Sequence, residues 1–406
     1  MLEMLNDPIQ WRAFLDARLA QGHLYPSEAE DLQCFIESDE YEIVASAILS
    51  GSPMPLPQAR EISKKRTGKT RTVFTYPRAE NYALKLLAWG LRRYDGAFSD
   101  NLYSFRPGSG ARAAMARLMR TPRLSELYAY KADIHDYFNS IDIDRLIPRL
   151  AQVIEDDPAL LAFIEGMLRN PVALKGGVPT VMRKGIMAGT PISPFLANVY
   201  LMDLDAEFAA KGVPYARYSD DILVLAPTAE ALEEHIASIR GTLARLGLEI
   251  NPDKESRSLP HEPWTFLGFT YRDSTLDVAD ISVAKLKGKM RRKARALLRW
   301  RRRKNKDGGK AARAFIRLFN GKLYSNPRRD ELTWARWYFP VIGTDRSLRE
   351  LDRYMQDCIR YIVAGNHGKK RYNLRYATLK AWGYRPLVHE SYAQRKVDAE
   401  ASAPRP

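Results

Sequence analysis

Cysteine is nearly absent: Cys34 and Cys358 are the only two in 406 residues. Two thiols cannot build a disulfide framework or a four-thiolate zinc site, so a reducing, cytoplasmic setting is expected. Long apolar runs are also lacking. None approaches the ~20 residues that span a bilayer, and no membrane partner is expected. The first residues carry no basic segment followed by an apolar stretch, so no signal peptide is expected. Acidic side chains are outnumbered, 48 against 64 basic ones, which leaves a net charge of +16. There is no internal repeat and no low-complexity block. Apolar material is plentiful: 45% hydrophobic and 10% aromatic residues bury a real core and exclude a disordered polycation. The partner class expected for such a chain is a polyanion.

The charge is unevenly placed. Residues 1–57 hold 2 basic and 10 acidic side chains, whereas residues 285–306 hold 13 basic and none acidic. Residues 58–284 are nearly neutral, with 29 basic and 28 acidic. Three segments are therefore expected: an acidic helical extension (1–57), a central domain (58–284) and a basic helical C-terminal part (285–406). In the first, Trp11, Phe14, Leu15 and Leu19 recur at helical spacing. Ser27-Glu28-Ala29-Glu30 reads as a capping box before Leu32, Phe35 and Ile36. The proline-rich stretch 51–57 reads as a linker, and residues 304–310 as an exposed loop between two basic helices.

The richest chemistry lies in Tyr215-Ala-Arg-Tyr-Ser-Asp-Asp-Ile-Leu-Val-Leu225. Two adjacent carboxylates, Asp220 and Asp221, precede a run of apolar strand formers. The pattern predicts acids at a tight hairpin turn with Ile222 to Leu225 as a buried strand. Such acids suit a hard, oxygen-seeking cation such as Mg²⁺, although Ser-Asp-Asp is also ordinary turn chemistry. A second acid, Asp133, ends a predicted strand in Tyr128-Ala-Tyr-Lys-Ala-Asp133, and a turn leads on to Asp142-Ile-Asp-Arg-Leu146. If the two strands lie side by side, Asp133 and Asp220 form a pair able to bridge two metal ions.

These segments resemble motifs A, B and C of reverse transcriptases: Asp133 with Phe138 five positions on, Gly189-Thr-Pro-Ile-Ser-Pro194, and Tyr218-Ser-Asp-Asp221. Flanking blocks agree. Arg71-Thr-Val-Phe-Thr-Tyr-Pro77 and Asn101-Leu-Tyr-Ser-Phe-Arg-Pro-Gly-Ser-Gly110 resemble segments of retron and group II intron enzymes. Leu246-Gly-Leu-Glu-Ile-Asn-Pro-Asp-Lys254 resembles motif D, and Phe266-Leu-Gly-Phe269 resembles motif E.

The resemblance covers about residues 58–275. It implies an α+β right-hand polymerase with fingers, an antiparallel-sheet palm and an α-helical thumb. The implied activity is RNA-directed DNA synthesis with two Mg²⁺ ions, Mn²⁺ being a substitute. Asp133, Asp220 and Asp221 would hold the metals, joined by the carbonyl of Ile134. Lys254 would protonate the leaving pyrophosphate, or simply be an exposed lysine. Lys69 and Arg71 would hold the triphosphate or stand solvated on a basic strand. Phe138 would stack under the incoming sugar and exclude a 2′-hydroxyl. Gly189 and Pro191 would bring backbone close to the base pair, and Arg106 would touch nucleic acid. Ala188 departs from the family's usual Gln, which puts template preference in doubt, not the metal chemistry.

In the basic part, Lys289, Arg292, Arg295 and Arg299 are expected to track phosphates along a thumb helix. The tail after Lys369 mixes cations with aromatics and reads either as an RNA-binding surface or as a packed C-terminal helix. It resembles the tail of stand-alone defence-associated reverse transcriptases. The expected setting is antiphage defence with a cognate noncoding RNA; dNTPs are the substrates, DNA is the product, and a homo-oligomer remains open. A retron- or intron-type enzyme of a mobile element and a maturase-like RNA-binding protein are the alternatives.

Overall fold

The computed structural model describes residues 1–21, 24, 26–63, 70–324 and 333–402. The chain forms two compact units, residues 1–260 and 261–406.

The first unit begins with three helices, Pro8–Ala20, Pro26–Glu37 and Glu40–Leu49. Asp7 caps the first, its side chain accepting from the Ile9 amide at 2.8 Å. The second helix starts at Pro26, so Ser27 lies inside the first turn and not at the cap. Proline's preset φ, compatible with a first helical position, moves the boundary upstream of the expected box. Trp11 is fully buried and packs edge-on against Phe35, with ring centroids 5.4 Å apart. The acidity of this piece has a local use. Arg78, on the next helix (Arg78–Gly90), pairs with Asp31 at 3.1 Å and with Glu40 at 2.5 Å. These pairs are exposed and worth little energy, but they link the second and third helices to that helix.

Two sheets follow. In one, the hairpin Gln58–Ser63 and Thr70–Thr75 is extended by Val172–Lys175 and Val178–Val181. Its pairing is antiparallel except between Gln58–Ser63 and Val172–Lys175. The other is antiparallel throughout, in the order Tyr215–Tyr218, Asp221–Ala226, Tyr128–Asp133, Ser256–Ser258. Ile222 to Ala226 are all completely buried, as expected for a central strand covered on both faces. The 17-residue helix Ala229–Arg245 packs on both central strands.

The second unit opens with an antiparallel meander, Trp264–Phe266, Phe269–Arg272 and Thr275–Val278. Helices Asp280–Arg303, Gly308–Leu323 and Arg346–Ala364 pack together after it. Gly308 and Gly309, read from the sequence as loop, form a buried first helical turn. Asp307 caps that turn through the Lys310 amide at 2.9 Å. A Cβ on Gly308 would sit 3.2 Å from the Val363 backbone, so close helix packing explains the glycine. The tail is structured: Asp352, buried, accepts from the Leu387 amide (2.8 Å), the Val388 amide (3.1 Å) and the Tyr384 hydroxyl (2.8 Å). One buried carboxylate thus starts the last helix, Leu387–Ser402. Among the described residues no helix is long and apolar enough to cross a membrane.

Candidate active site

The central sheet brings the three acids together through its register. Tyr218 pairs with Asp221 across a two-residue turn made by Ser219 and Asp220, and Ser219 takes the left-handed conformation that such a turn requires (φ 60°). Across the sheet Asp221 lies opposite Asp133. The Ile134 amide donates to the Asp220 carbonyl at 3.0 Å, which locks the end of the first strand to the turn. On the other side the Asn251 amide donates to the Asp133 carbonyl at 2.7 Å, leading into the short turn that carries Lys254.

Crowding of carboxylates at one sheet end has an electrostatic cost. Burial, then Asp133, then Asp221 push the Asp220 carboxyl up to about 6 from its ordinary 3.8. Burial also raises Asp221, against the pull of Lys131, whose ammonium stands 3.4 Å from its carboxylate. Lys254 Nζ donates to Asp133 Oδ2 at 2.5 Å, so a motif D lysine and a motif A acid meet directly. Among the described residues no three Asp, Glu, His or Cys side chains form a ready-made metal cage. The donor set nevertheless fits a hard cation. All its donor atoms are oxygens, and Asp133 and Asp221 each already draw an ammonium.

Beside the acids is an aromatic shelf. Phe138 is half-buried, and the Arg71 guanidinium lies 5.7 Å from its ring centre. Phe105 meets Phe138 at 6.5 Å and Tyr218 at 6.4 Å while 49% exposed. Phe105 also has φ of 61°, an uncommon conformation for a bulky side chain and one that concentrates at functional sites. Gly185 sets the shelf. A Cβ there would come within 2.3 Å of the Phe138 carbonyl, which accepts from the Ile186 amide at 3.0 Å.

The other expected residues fall in different places. Gly189, with φ of 103°, packs its backbone against the Thr70–Thr75 strand: a Cβ would lie 3.1 Å from the Phe74 carbonyl. Ala188 is fully buried and accepts from the Phe74 amide at 2.8 Å. Pro191 lies two residues before the helix Ser193–Tyr200. Arg106 is committed to backbone carbonyls, donating to Ser99 at 2.9 Å and Asp95 at 3.0 Å, and is not drawn to the acids. Lys69 lies outside the described residues. Lys289, Arg292, Arg295 and Arg299 are all exposed on the 24-residue helix of the second unit, opposite the buried Leu286, Met290 and Leu297.

The residues that sequence reasoning missed sit beneath the hairpin. Arg217 and Asp205 are both completely buried, paired at 2.5 Å through Nη2 and Oδ2 and at 2.8 Å through Nε and Oδ1. Burial opposes the guanidinium's charge, but Asp205 outweighs it and its pKa is raised. Arg217 Nη1 donates to the Ser219 carbonyl at 3.1 Å. The Ser219 amide in turn donates to Ser104 Oγ at 2.9 Å, and Asn198 Nδ2 donates to the Ser104 carbonyl at 3.0 Å. The turn carrying Asp220 is therefore wired from behind to the Asn101–Gly110 block and to the Ser193–Tyr200 helix. An arginine inside an apolar strand run was the available signal, since such a charge demands a partner.

The chain belongs to the reverse transcriptase (RNA-dependent DNA polymerase) family, whose model matches residues 62–271, just over half of the sequence. The expected α+β class, with an antiparallel sheet carrying the acids and a helical C-terminal unit, is what the structure shows. The chain is similar to the uncharacterized 91 kDa protein in cob intron of Schizosaccharomyces pombe, at 35% identity over 136 residues. That match covers 30% of this chain and only 16% of the relative's length. Among solved structures it resembles the telomerase of Candida albicans in complex with a fragment of telomeric RNA, at 11% identity and a TM-score of 0.47. That likeness covers 87% of this chain and 71% of the other. The apo telomerase of Candida tropicalis is matched at 12% identity and a TM-score of 0.47, over 82% of this chain and 61% of the other.

Proposed function

We propose that this protein is an RNA-directed DNA polymerase in which Asp133, Asp220 and Asp221 hold two Mg²⁺ ions. The register that sets Asp133 opposite Asp221, with Asp220 in the adjoining turn, carries the reading. When bound, the ions activate a 3′-hydroxyl and neutralise charge building on the departing pyrophosphate. The chain's own groups do the rest. The Ile134 carbonyl, at the same strand end, adds an oxygen ligand. The Lys254 ammonium stands at the same edge with a proton to deliver to the leaving group. Arg71, over the Phe138 ring, grips the triphosphate, while that ring closes the space a 2′-hydroxyl would need. Gly189 and Pro191 shape the backbone next to the nascent base pair, and Arg106, whose guanidinium also donates to the Ser99 and Asp95 carbonyls, contacts nucleic acid.

Phe138→Ala opens that space. Its ribonucleotide incorporation, measured against deoxynucleotides on one RNA template, should rise about tenfold or more, the worth of one steric contact at a reacting centre. An unchanged ratio would remove Phe138 from sugar selection.

The basic helix supplies the nucleic-acid grip. Neutralising Lys289, Arg292, Arg295 and Arg299 together should lower the slope of log affinity for RNA against log salt by about 3, since each phosphate contact contributes about 0.7–0.9. An unaltered slope would place the phosphate track elsewhere. Two settings fit this enzyme: defence with a cognate noncoding RNA, and an intron-borne enzyme, which the similarity to the cob intron protein supports. Sequencing the RNA that co-purifies with the full chain distinguishes them.

A further inference from the structure

The second unit holds a recess of about 140 Å³ that shares only Arg295 with the phosphate track proposed above. Arg291 and Arg295, one turn apart on the basic helix, form one wall, and Asp357 and Tyr361 of the Arg346–Ala364 helix form another. The segment that follows closes it with His367 and Arg371. Three arginines thus line the recess with a single acidic residue, Asp357, and Arg360 already stands 3.9 Å from that carboxylate. Arg371 is held in place: it donates to the His367 carbonyl at 3.1 Å and to the Tyr372 hydroxyl at 2.7 Å. Tyr361 and His367 stack in the same lining, their rings 4.3 Å apart and 19° from parallel.

We propose that this recess binds a phosphate monoester, the group that ends a 5′-phosphorylated nucleic-acid strand or a free nucleotide. The excess of cations suits a dianion better than the single charge of an internal diester. The recess is well below the ~300–1,000 Å³ of sites that enclose a whole small molecule, so the phosphate enters and the nucleoside stays outside. The stacked Tyr361–His367 pair offers that nucleoside an aromatic surface.

The test uses the full chain and a fluorescent RNA octamer carrying either a 5′-phosphate or a 5′-hydroxyl. Anisotropy should show the phosphorylated octamer binding about tenfold tighter or more, the size expected for charge-assisted bonds from several guanidiniums. The preference, read as the ratio of the two affinities, should fall to about one in Arg291→Gln plus Arg371→Gln. If that pair does not fold, the exposed Arg291→Gln alone should shrink the preference. Displacement of the phosphorylated octamer by AMP assigns the recess to free nucleotides as well; no displacement assigns it to strand ends. Equal binding of the two octamers by the wild type, or a preference undiminished in the folded variant, overturns the proposal.

Discussion

Asp220→Asn should abolish deoxynucleotide incorporation and, without metal, make the protein more stable. The loss should reach at least about 10²–10³-fold, because the charge stabilisation at the reacting phosphate goes with the carboxylate. The gain follows from burial first and from the neighbouring Asp133 and Asp221 second. In the fold Asp220 titrates at about 6, against an ordinary 3.8. Between those values the folded protein keeps a proton that the unfolded chain has released, so stability falls as pH rises from about 4 to 6 and stays lowered above. Asparagine removes the penalty, worth about 2–3 kcal/mol at neutral pH and nothing below about pH 4. Thermal melting in EDTA at pH 7 and pH 4 measures it. Added Mg²⁺ should raise the wild-type melting temperature and leave the variant's nearly unmoved. A variant that melts like the wild type at pH 7 would show that neither burial nor the neighbouring acids destabilise the Asp220 carboxylate.

The second large effect lies one layer below. Asp205→Ala leaves the Arg217 guanidinium buried without its counter-ion, and should cost about 3–5 kcal/mol. For a domain of this size that corresponds to a fall of about 10 °C in melting temperature. Catalysis should fall too, since Arg217 holds the Ser219 carbonyl at the turn that presents Asp220. The double variant Asp205→Leu plus Arg217→Met separates the two roles. Apolar replacement of a buried pair is often neutral for stability, so most of the melting temperature should return. Activity should not return, because the Ser219 carbonyl still lacks its donor. Recovery of both would make the pair merely structural; recovery of neither would mean that packing around it, not charge, is decisive.

The expectations from sequence succeeded where the signal was local and periodic. The buried strand after Asp221, the turn at Ser219-Asp220 and the strand ending at Asp133 were all legible in apolar runs broken by acids. Arg217 and Asp205 were not. They are twelve residues apart on a strand and a helix, and nothing in either segment alone shows that they meet. Gly185 reads as an ordinary turn glycine until the Phe138 carbonyl is seen against it. Arg106 carried a charge suited to phosphate, yet its nearest acceptors are carbonyls of its own chain, a choice made by tertiary packing. The Gly308–Gly309 pair carried a loop signature that close packing against Val363 overrode.

Primer extension on a defined RNA template, with the purified full chain, Mg²⁺ and either deoxy- or ribonucleotides, is the decisive assay for polymerase activity at the three acids. Template-dependent incorporation of deoxynucleotides, strong preference over ribonucleotides, and no product from Asp133→Asn or after chelation of the metal are expected. Undiminished extension by Asp133→Asn, or equal use of both nucleotide sets by the wild type, would contradict it.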